Sequence, residues 1–172
     1  ILPVDSHSRR RAGPPRWGPS YGDPVGTGSL ELDGEAVARL HGRSLPTTQE
    51  WSVEDLRTVL DLTRAFATLD RAGGVPELCP RELAYALFFD RSTRTRSAWS
   101  GAAARLGMHP VIVDGSSTQV AHGETAVETG AMLGMNAHAL GVRHDLVLGA
   151  GNRFLRDVQR GIDDYLDATG DP

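Results

Sequence analysis

The run Leu83-Ala84-Tyr85-Ala86-Leu87-Phe88-Phe89 leads directly into Asp90-Arg91-Ser92-Thr93-Arg94-Thr95-Arg96, and these two stretches give the clearest indication of the fold. The first is a short apolar segment bounded by charged residues, which is typical of a buried strand. After the second, apolar residues recur at helical spacing and stop at Gly107: Trp99, Ala102, Ala103 and Leu106. The pattern predicts a strand, a polar loop and a helix in that order.

The same alternation continues on both sides of this unit. Upstream, Ser52 can cap a helix that ends near the Ala72-Gly73-Gly74 turn. Downstream, the pattern predicts two strands and two helices: residues 111–113, 124–138, 139–143 and 154–166. Gly161 is expected to weaken the last helix. Strands alternating with helices predict an α/β fold, a three-layer parallel sheet flanked by helices.

The 172-residue chain is predicted to hold one domain behind a tail. Residues 1–28 are rich in Pro and Gly and show no hydrophobic period, which indicates a mobile or draped tail. Residues 29–172 then form the domain. The consecutive arginines at 9–11 could contact nucleic acid, but a solvated arm is favoured.

Composition narrows the kind of ligand. The net charge is −4 and all 18 basic residues are Arg, so any anion must be held by Arg, His or backbone N–H groups. The negative balance argues against nucleic acid as a partner, and no apolar run is long enough to span a membrane. The single cysteine, Cys79, suits a reducing cytoplasm. These features favour a small anionic ligand at one local site.

The loop between the first strand and its helix has the composition of a phosphate site. Loops that leave the carboxyl ends of parallel strands bind ligands in α/β folds. The first turn of the next helix presents unpaired N–H groups, and Ser92, Thr93 and Thr95 add hydroxyls. Arg94 adds a planar fork that suits two phosphate oxygens. The alternative is that Ser92 only caps the helix while Arg94 and Arg96 lie in solvent.

Three more residues are candidates at neighbouring strand ends and loops. Arg143 ends the third predicted strand, where it is either a ligand contact or an ordinary surface ion-pair residue. Gln119 and His122 lie in a polar loop and by themselves would be ordinary exposed side chains. His109 and His144 have no partner at metal-ligand spacing, so no metal and no cofactor are predicted.

Three motifs together resemble those of the aspartate and ornithine transcarbamylases. The stretch from Phe88 to Arg96 resembles the carbamoyl-phosphate motif, and Gly141-Val142-Arg143 resembles the strand whose Arg contacts the carbamoyl oxygen. Gln119-Val120-Ala121-His122-Gly123-Glu124-Thr125 looks like the mobile loop that reaches a neighbouring subunit's site. The sequence of this loop is most similar to that of the knotted carbamoyltransferases, whose substrates are unassigned or ureido acids. His122 stands where the aspartate enzymes have Lys, and Ser100 replaces a Glu, which argues against aspartate or ornithine as the amine.

The resemblance implies roles for these residues. Carbamoyl phosphate would be held by Ser92, Thr93, Arg94 and Thr95, with Gln119 and His122 from a second subunit. Arg94, Thr95 and Arg143 would serve catalysis, because Thr95 and Arg143 polarise the carbonyl as an amine attacks. The resemblance further implies a cytoplasmic homotrimer that transfers a carbamoyl group to an amino acid, or removes it from a ureido acid by phosphorolysis.

Family members have a second domain, which binds the amine, and a His-Pro-x-x-Gln signature beyond the region matched here. Neither is found in residues 1–172, so the predicted carbamoyl-phosphate-binding domain is expected to be incomplete. This leaves two readings open. One is a carbamoyltransferase, and the other is a non-catalytic module that binds carbamoyl phosphate.

Overall fold

The computed structural model describes residues 32–74, 77–145 and 147–170. The strands are β1 (Leu83–Phe88), β2 (His109–Asp114) and β3 (Ala139–Arg143). The helices are α1 (Gly34–Ala38), α2 (Val53–Arg71), α3 (Thr93–Arg105), α4 (Ala126–Gly134) and α5 (Ala150–Thr169). The tail predicted at residues 1–28, with its arginines at 9–11, lies outside the described residues.

The strands form a parallel sheet in the order β2-β1-β3, so the first strand of the chain is the central one. Ala86, Leu87 and Phe88 follow one another in β1 and all three are buried. Successive strand side chains point to opposite faces, so both faces of the central strand are covered. The predicted α/β architecture, a parallel sheet flanked by helices, is confirmed.

Both ends of α2 agree with the sequence prediction. The Ser52 hydroxyl accepts a hydrogen bond from the Asp55 N–H at 3.0 Å, which satisfies one of the free donors of the first turn. At the other end the helix stops at Ala72, and Gly73 takes a positive φ of 79°. Glycine adopts this left-handed conformation without the steric cost that a Cβ brings.

Trp99 fixes α3 against the sheet. Its indole N–H donates to the Ala84 carbonyl at 3.3 Å. A Cβ at Gly141 would meet the Trp99 ring at 2.7 Å, so the third strand needs a glycine where the indole crosses it. Trp99 is half-buried and contacts both the central strand and β3, as expected of a packing residue on the inner face of its helix.

Two helices touch each other through glycine. A Cβ on Gly130 of α4 would lie under 3.0 Å from the Val158 backbone, and one on Gly161 of α5 would do the same at the Val127 carbonyl. Both glycines are buried. The expectation that Gly161 merely weakens its helix was therefore incomplete. α5 is continuous through Gly161, and the missing side chain lets two helix backbones approach closely.

Three local features differ from the sequence prediction. The short helix α1 was not anticipated; Asp33 caps it by accepting from the Glu35 and Ala36 N–H groups. The loop after β2 contains two 3₁₀ turns, Gly115–Ser117 and Gln119–His122. α4 starts later and ends earlier than the predicted 124–138. None of the described helices is long and apolar enough to cross a lipid bilayer.

Candidate functional site

The carboxyl ends of the three strands lie side by side. Phe88, the last residue of β1, is paired with Asp114 of β2 on one side and with Arg143 of β3 on the other. The chain segments that follow these residues therefore leave the sheet at one edge. Ligands of open α/β sheets bind outside this edge.

At this edge Arg143 contacts the start of α3. Its Nη1 donates to the Ser92 hydroxyl at 2.7 Å and to the Thr95 hydroxyl at 3.1 Å. These residues are 51 and 48 positions away in the chain, so the sheet pairing brings them together. Three of the residues predicted for the site therefore form one contiguous polar group, which we call the Arg143 cluster (Ser92, Thr95 and Arg143).

The Ser92 hydroxyl does not cap its own helix. Ser92 is the N-cap residue of α3, yet its side chain makes no capping hydrogen bond. Ser52 and Thr125, at the starts of α2 and α4, both accept from a backbone N–H three residues ahead. Because Ser92 turns to Arg143 instead, the alternative in which it serves only as a cap does not hold. The first-turn N–H groups of α3 are left without a side-chain cap.

Asp145, which was not predicted as a site residue, forms an ion pair with the other side of the Arg143 guanidinium. Its Oδ2 accepts from Nε at 3.1 Å and from Nη2 at 2.8 Å. The Arg143 guanidinium lowers the pKa of the Asp145 carboxyl below its usual range, chiefly through these hydrogen bonds. The only signal in the sequence was an acidic residue two positions after the strand-ending arginine.

The structure leaves the other predicted site residues apart from the Arg143 cluster. Thr93 and Arg94 are exposed in the first turn of α3, and no described residue bonds to either side chain. Gln119 and His122 are exposed in the 3₁₀ turn before α4. Neither of these two is linked to Arg143 by a hydrogen bond within the described part of the chain.

Arg96 faces the sheet. Its guanidinium lies 4.8 Å from the centre of the Phe88 ring, and Nη2 is 3.8 Å from a carboxylate oxygen of Asp114. Its Nε is buried, with no hydrogen-bond partner among the described residues. A cation over an aromatic face is a stabilising arrangement, so Arg96 packs α3 onto the strand ends. It is neither a free solvated side chain nor a member of the Arg143 cluster.

His144 belongs to an aromatic group beside the site. Its ring centre is 4.5 Å from that of Phe89 and 5.8 Å from that of Phe154. Packing between the sheet edge and α5 accounts for this histidine. In the described ranges, no three His, Cys, Asp or Glu side chains are grouped closely enough to hold a metal ion.

Acid is expected to destabilise the fold through carboxylates held by hydrogen bonds. Among the described residues, four carboxyl groups have lowered pKa values, and the leading hydrogen-bond donors are Arg43 for Asp55, Ser116 for Asp114, Thr125 for Glu128 and Arg143 for Asp145. Such a group stabilises the fold above its unfolded pKa of about 4, and this contribution is lost as the pH falls through the lower folded pKa. The midpoint of thermal unfolding, followed by circular dichroism, should drop between about pH 5 and pH 2.

Glu128→Gln provides the matched control for this acid response. Gln at the third helical position can keep the capping box with Thr125, in which Glu128 now accepts the Thr125 N–H at 2.8 Å. It cannot titrate, so its unfolding midpoint should fall less steeply with acid than that of the parent chain. A parent midpoint that stays constant or rises over this pH range would contradict the assignment.

Comparison with known proteins identifies the family of the chain. Residues 43–160 match the family model described as aspartate/ornithine carbamoyltransferase, carbamoyl-P binding domain. The Escherichia coli carbamoyltransferase homologue YgeW is 35% identical over 128 residues, which is 74% of this chain and 32% of YgeW. An aspartate carbamoyltransferase catalytic subunit from Nitratiruptor is 36% identical over 103 residues, covering 59% of this chain and 34% of that one.

Solved structures show the same relationship. Ornithine carbamoyltransferase from Pyrococcus furiosus superposes with a TM-score of 0.63 at 26% identity, covering 71% of this chain and 37% of its own. Aspartate transcarbamoylase from Trypanosoma cruzi, in complex with carbamoyl phosphate, gives 0.63 at 27% identity, covering 76% and 40%. The chain spans about a third of the length of the curated relatives it matches. It belongs to the aspartate/ornithine carbamoyltransferase family, and the part it shares is the carbamoyl-phosphate-binding domain.

Proposed function

We propose that this protein is a carbamoyltransferase and that its carbamoyl phosphate binds at the carboxyl edge of the sheet. The observation that carries the proposal is the Arg143 cluster, in which a cation from β3 meets two hydroxyls at the uncapped start of α3. The T. cruzi relative whose structure contains carbamoyl phosphate has the same fold. The second substrate is an amino acid, or a ureido acid when the reaction runs as phosphorolysis.

The phosphate is assigned to the start of α3. Peptide N–H groups and the helix dipole favour an anion there. Ser92, Thr93 and Thr95 supply hydroxyls, and the exposed fork of Arg94 can bind two oxygens at once. Since no described side chain occupies Arg94, binding the ligand breaks no ion pair of that residue within the described part of the chain.

The carbamoyl carbonyl is assigned to Thr95 and Arg143. When the amine nitrogen attacks the carbonyl carbon, negative charge grows on the carbonyl oxygen, and these donors stabilise it. A new C–N bond forms, the C–O bond to phosphate breaks, and the proton lost by the amine passes to the departing phosphate. Arg94 then neutralises the departing phosphate. Holding both reactants together already removes much of the barrier, so no covalent intermediate is required.

The oligomeric state and the cellular location are proposals about the whole protein. Gln119 and His122 are exposed on the turn before α4, where they are free to approach the phosphate site of a neighbouring subunit. The resemblance of residues 119–125 to the transcarbamylase loop that reaches a neighbouring site supports a homotrimer with shared sites. The single cysteine and the transferase assignment support a cytoplasmic location.

Arg94→Ala tests the phosphate assignment. It should weaken the binding of carbamoyl phosphate by about 1.5–3 kcal/mol or more, because a charge-assisted contact is lost. This corresponds to an increase in Kd of at least roughly tenfold. Isothermal titration with phosphonoacetamide, a stable phosphonate that retains the carbonyl, measures the change. The control is Arg57→Ala, which removes the same charge from an exposed position on α2. Equal affinities for both variants would remove Arg94 from the site.

A second experiment tests the transferase assignment. The full-length protein should release inorganic phosphate from carbamoyl phosphate faster when a suitable amino acid is present, and a carbamoylated product should form in equal amount. Binding of carbamoyl phosphate without any amine-dependent release, across the common amino acids and ureido acids, would instead indicate a binding module.

A further inference from the structure

The hydrogen bonds of Arg143 leave very few of its donors free. A guanidinium has five N–H groups. Two of them, one on Nε and one on Nη2, donate to Asp145. The two on Nη1 donate to the hydroxyls of Ser92 and Thr95. Among the described residues, one Nη2 hydrogen is left without an acceptor.

The plane of the guanidinium determines where this free hydrogen lies. Asp145 holds the edge formed by Nε and Nη2. The second Nη2 hydrogen therefore lies on the outer edge beside Nη1, the nitrogen that contacts the two hydroxyls. An oxygen placed at this edge would meet the free N–H beside Nη1, the nitrogen that donates to the Thr95 hydroxyl. This is the place that the proposed function assigns to the carbonyl oxygen.

The ion pair between Arg143 and Asp145 contributes little to the stability of the fold. The two side chains remain 35% and 48% exposed, and exposed ion pairs contribute about 0–1 kcal/mol. What the carboxylate does restrict is rotation of a long side chain, since hydrogen bonds from Nε and Nη2 that converge on one Asp145 oxygen limit how the guanidinium can turn. Without Asp145, the guanidinium could turn about its last torsions and keep contact with only one hydroxyl.

We propose that Asp145 is a positioning residue, which orients the Arg143 guanidinium so that its free N–H donates to the carbonyl oxygen of carbamoyl phosphate. The inference rests on the proposed function and adds a determinant of ligand preference. Asp145 also places a negative charge next to an anion site, which disfavours bare phosphate. A ligand with a carbonyl offsets this electrostatic repulsion by accepting a hydrogen bond from the oriented N–H, whereas phosphate alone has no carbonyl to do so.

The test compares two probes on the full-length protein. Phosphonoacetamide has both the anionic group and a carbonyl, and methylphosphonate has the same anionic group without the carbonyl. Isothermal titration gives the ratio of their affinities. Asp145→Ala should lower this ratio about tenfold, because the carbonyl contact is lost while methylphosphonate binds as well as before or better.

Asp145→Asn separates position from charge. Its amide oxygen can still accept from Arg143, so it should recover at least part of the ratio while both ligands gain affinity from the lost negative charge. A ratio that is unchanged in Asp145→Ala overturns the proposal. Identical ratios in the Ala and Asn variants also overturn it, since a hydrogen-bond acceptor at position 145 would then have no influence on the preference for the carbonyl.

Two further readouts keep the test decisive. The Nε–H resonance of Arg143 in a nitrogen–proton NMR spectrum should broaden or exchange faster in Asp145→Ala and stay sharp in Asp145→Asn. If Asp145→Ala does not fold, the affinity ratio of the near-isosteric Asn variant and the Arg143 Nε–H signal of the parent protein provide the test. A parent protein that shows no preference for phosphonoacetamide contradicts the carbonyl assignment itself, and the positioning role falls with it. Retained preference in the parent with unaffected variants overturns the role of Asp145 alone.

Discussion

Gly161→Ala is expected to lower the free energy of unfolding by about 3 kcal/mol, a large part of the 5–15 kcal/mol typical of a domain. A Cβ at this position would lie under 3.0 Å from the Val127 carbonyl of α4. Because the obstacle is backbone, no side-chain rotation relieves it, and α5 must move away from α4. Urea unfolding followed by circular dichroism measures the loss.

Gly101→Ala is the matched control for this prediction. Gly101 is also inside a helix, α3, but the nearest atom to its Cβ would be Nη1 of Arg105, at 2.9 Å. That atom ends a flexible side chain and can move aside. Alanine is favoured over glycine in a helix by about 1 kcal/mol, so this variant should be equal to or more stable than the parent. If both substitutions had the same effect, the close approach of α4 and α5 would be refuted.

Arg143→Ala is expected to lower kcat by about a hundredfold to a thousandfold in the full-length enzyme. The side chain is assigned to charge that develops on the carbonyl oxygen, so the loss should appear more in kcat than in the affinity for methylphosphonate. Steady-state assays of carbamoyl transfer, combined with titration of methylphosphonate, separate the two effects. A variant that loses phosphonate affinity but keeps its kcat would place Arg143 at the phosphate.

Arg143→Lys distinguishes charge from shape at the same position. Lysine keeps the positive charge but has no planar fork, so it cannot reach the two hydroxyls and Asp145 together. We expect near-parental phosphonate affinity with a kcat that stays far below the parent value. Full recovery of kcat by lysine would show that charge alone suffices. Arg57→Ala, on the exposed face of α2, controls for a general change in net charge.

The local elements were readable because their signals depend on near neighbours. An apolar run between charged residues identified β1, and the spacing around Trp99 identified α3. Ser52 and the glycine pair at 73–74 marked the ends of α2. The five-residue α1 was missed because it has too few residues to show an apolar period.

The site was only partly readable for the same reason. Donor density indicated residues 92–95 as a phosphate site, and Arg143 was a candidate from its place at a strand end. Two facts were hidden: that Ser92 bonds Arg143 instead of its own helix, and that Arg96 packs on Phe88. Both depend on which strand lies in the centre of the sheet. Asp145 was missed because an exposed acidic residue after a strand has no distinctive local pattern.

Local sequence patterns were enough to predict the types of the main elements, the polar loop before α3 and, within residues 1–172, anion contacts made without lysine. These follow from residue chemistry and from periods of 2.0 and 3.6 residues, which act over a few positions. Only the tertiary structure decided the strand order β2-β1-β3, the meeting of Arg143 with Ser92 and Thr95, and the glycine contact between α4 and α5. Such pairings join residues that are distant in the chain, and they are set by strand register and the packing of whole faces, which no local pattern records.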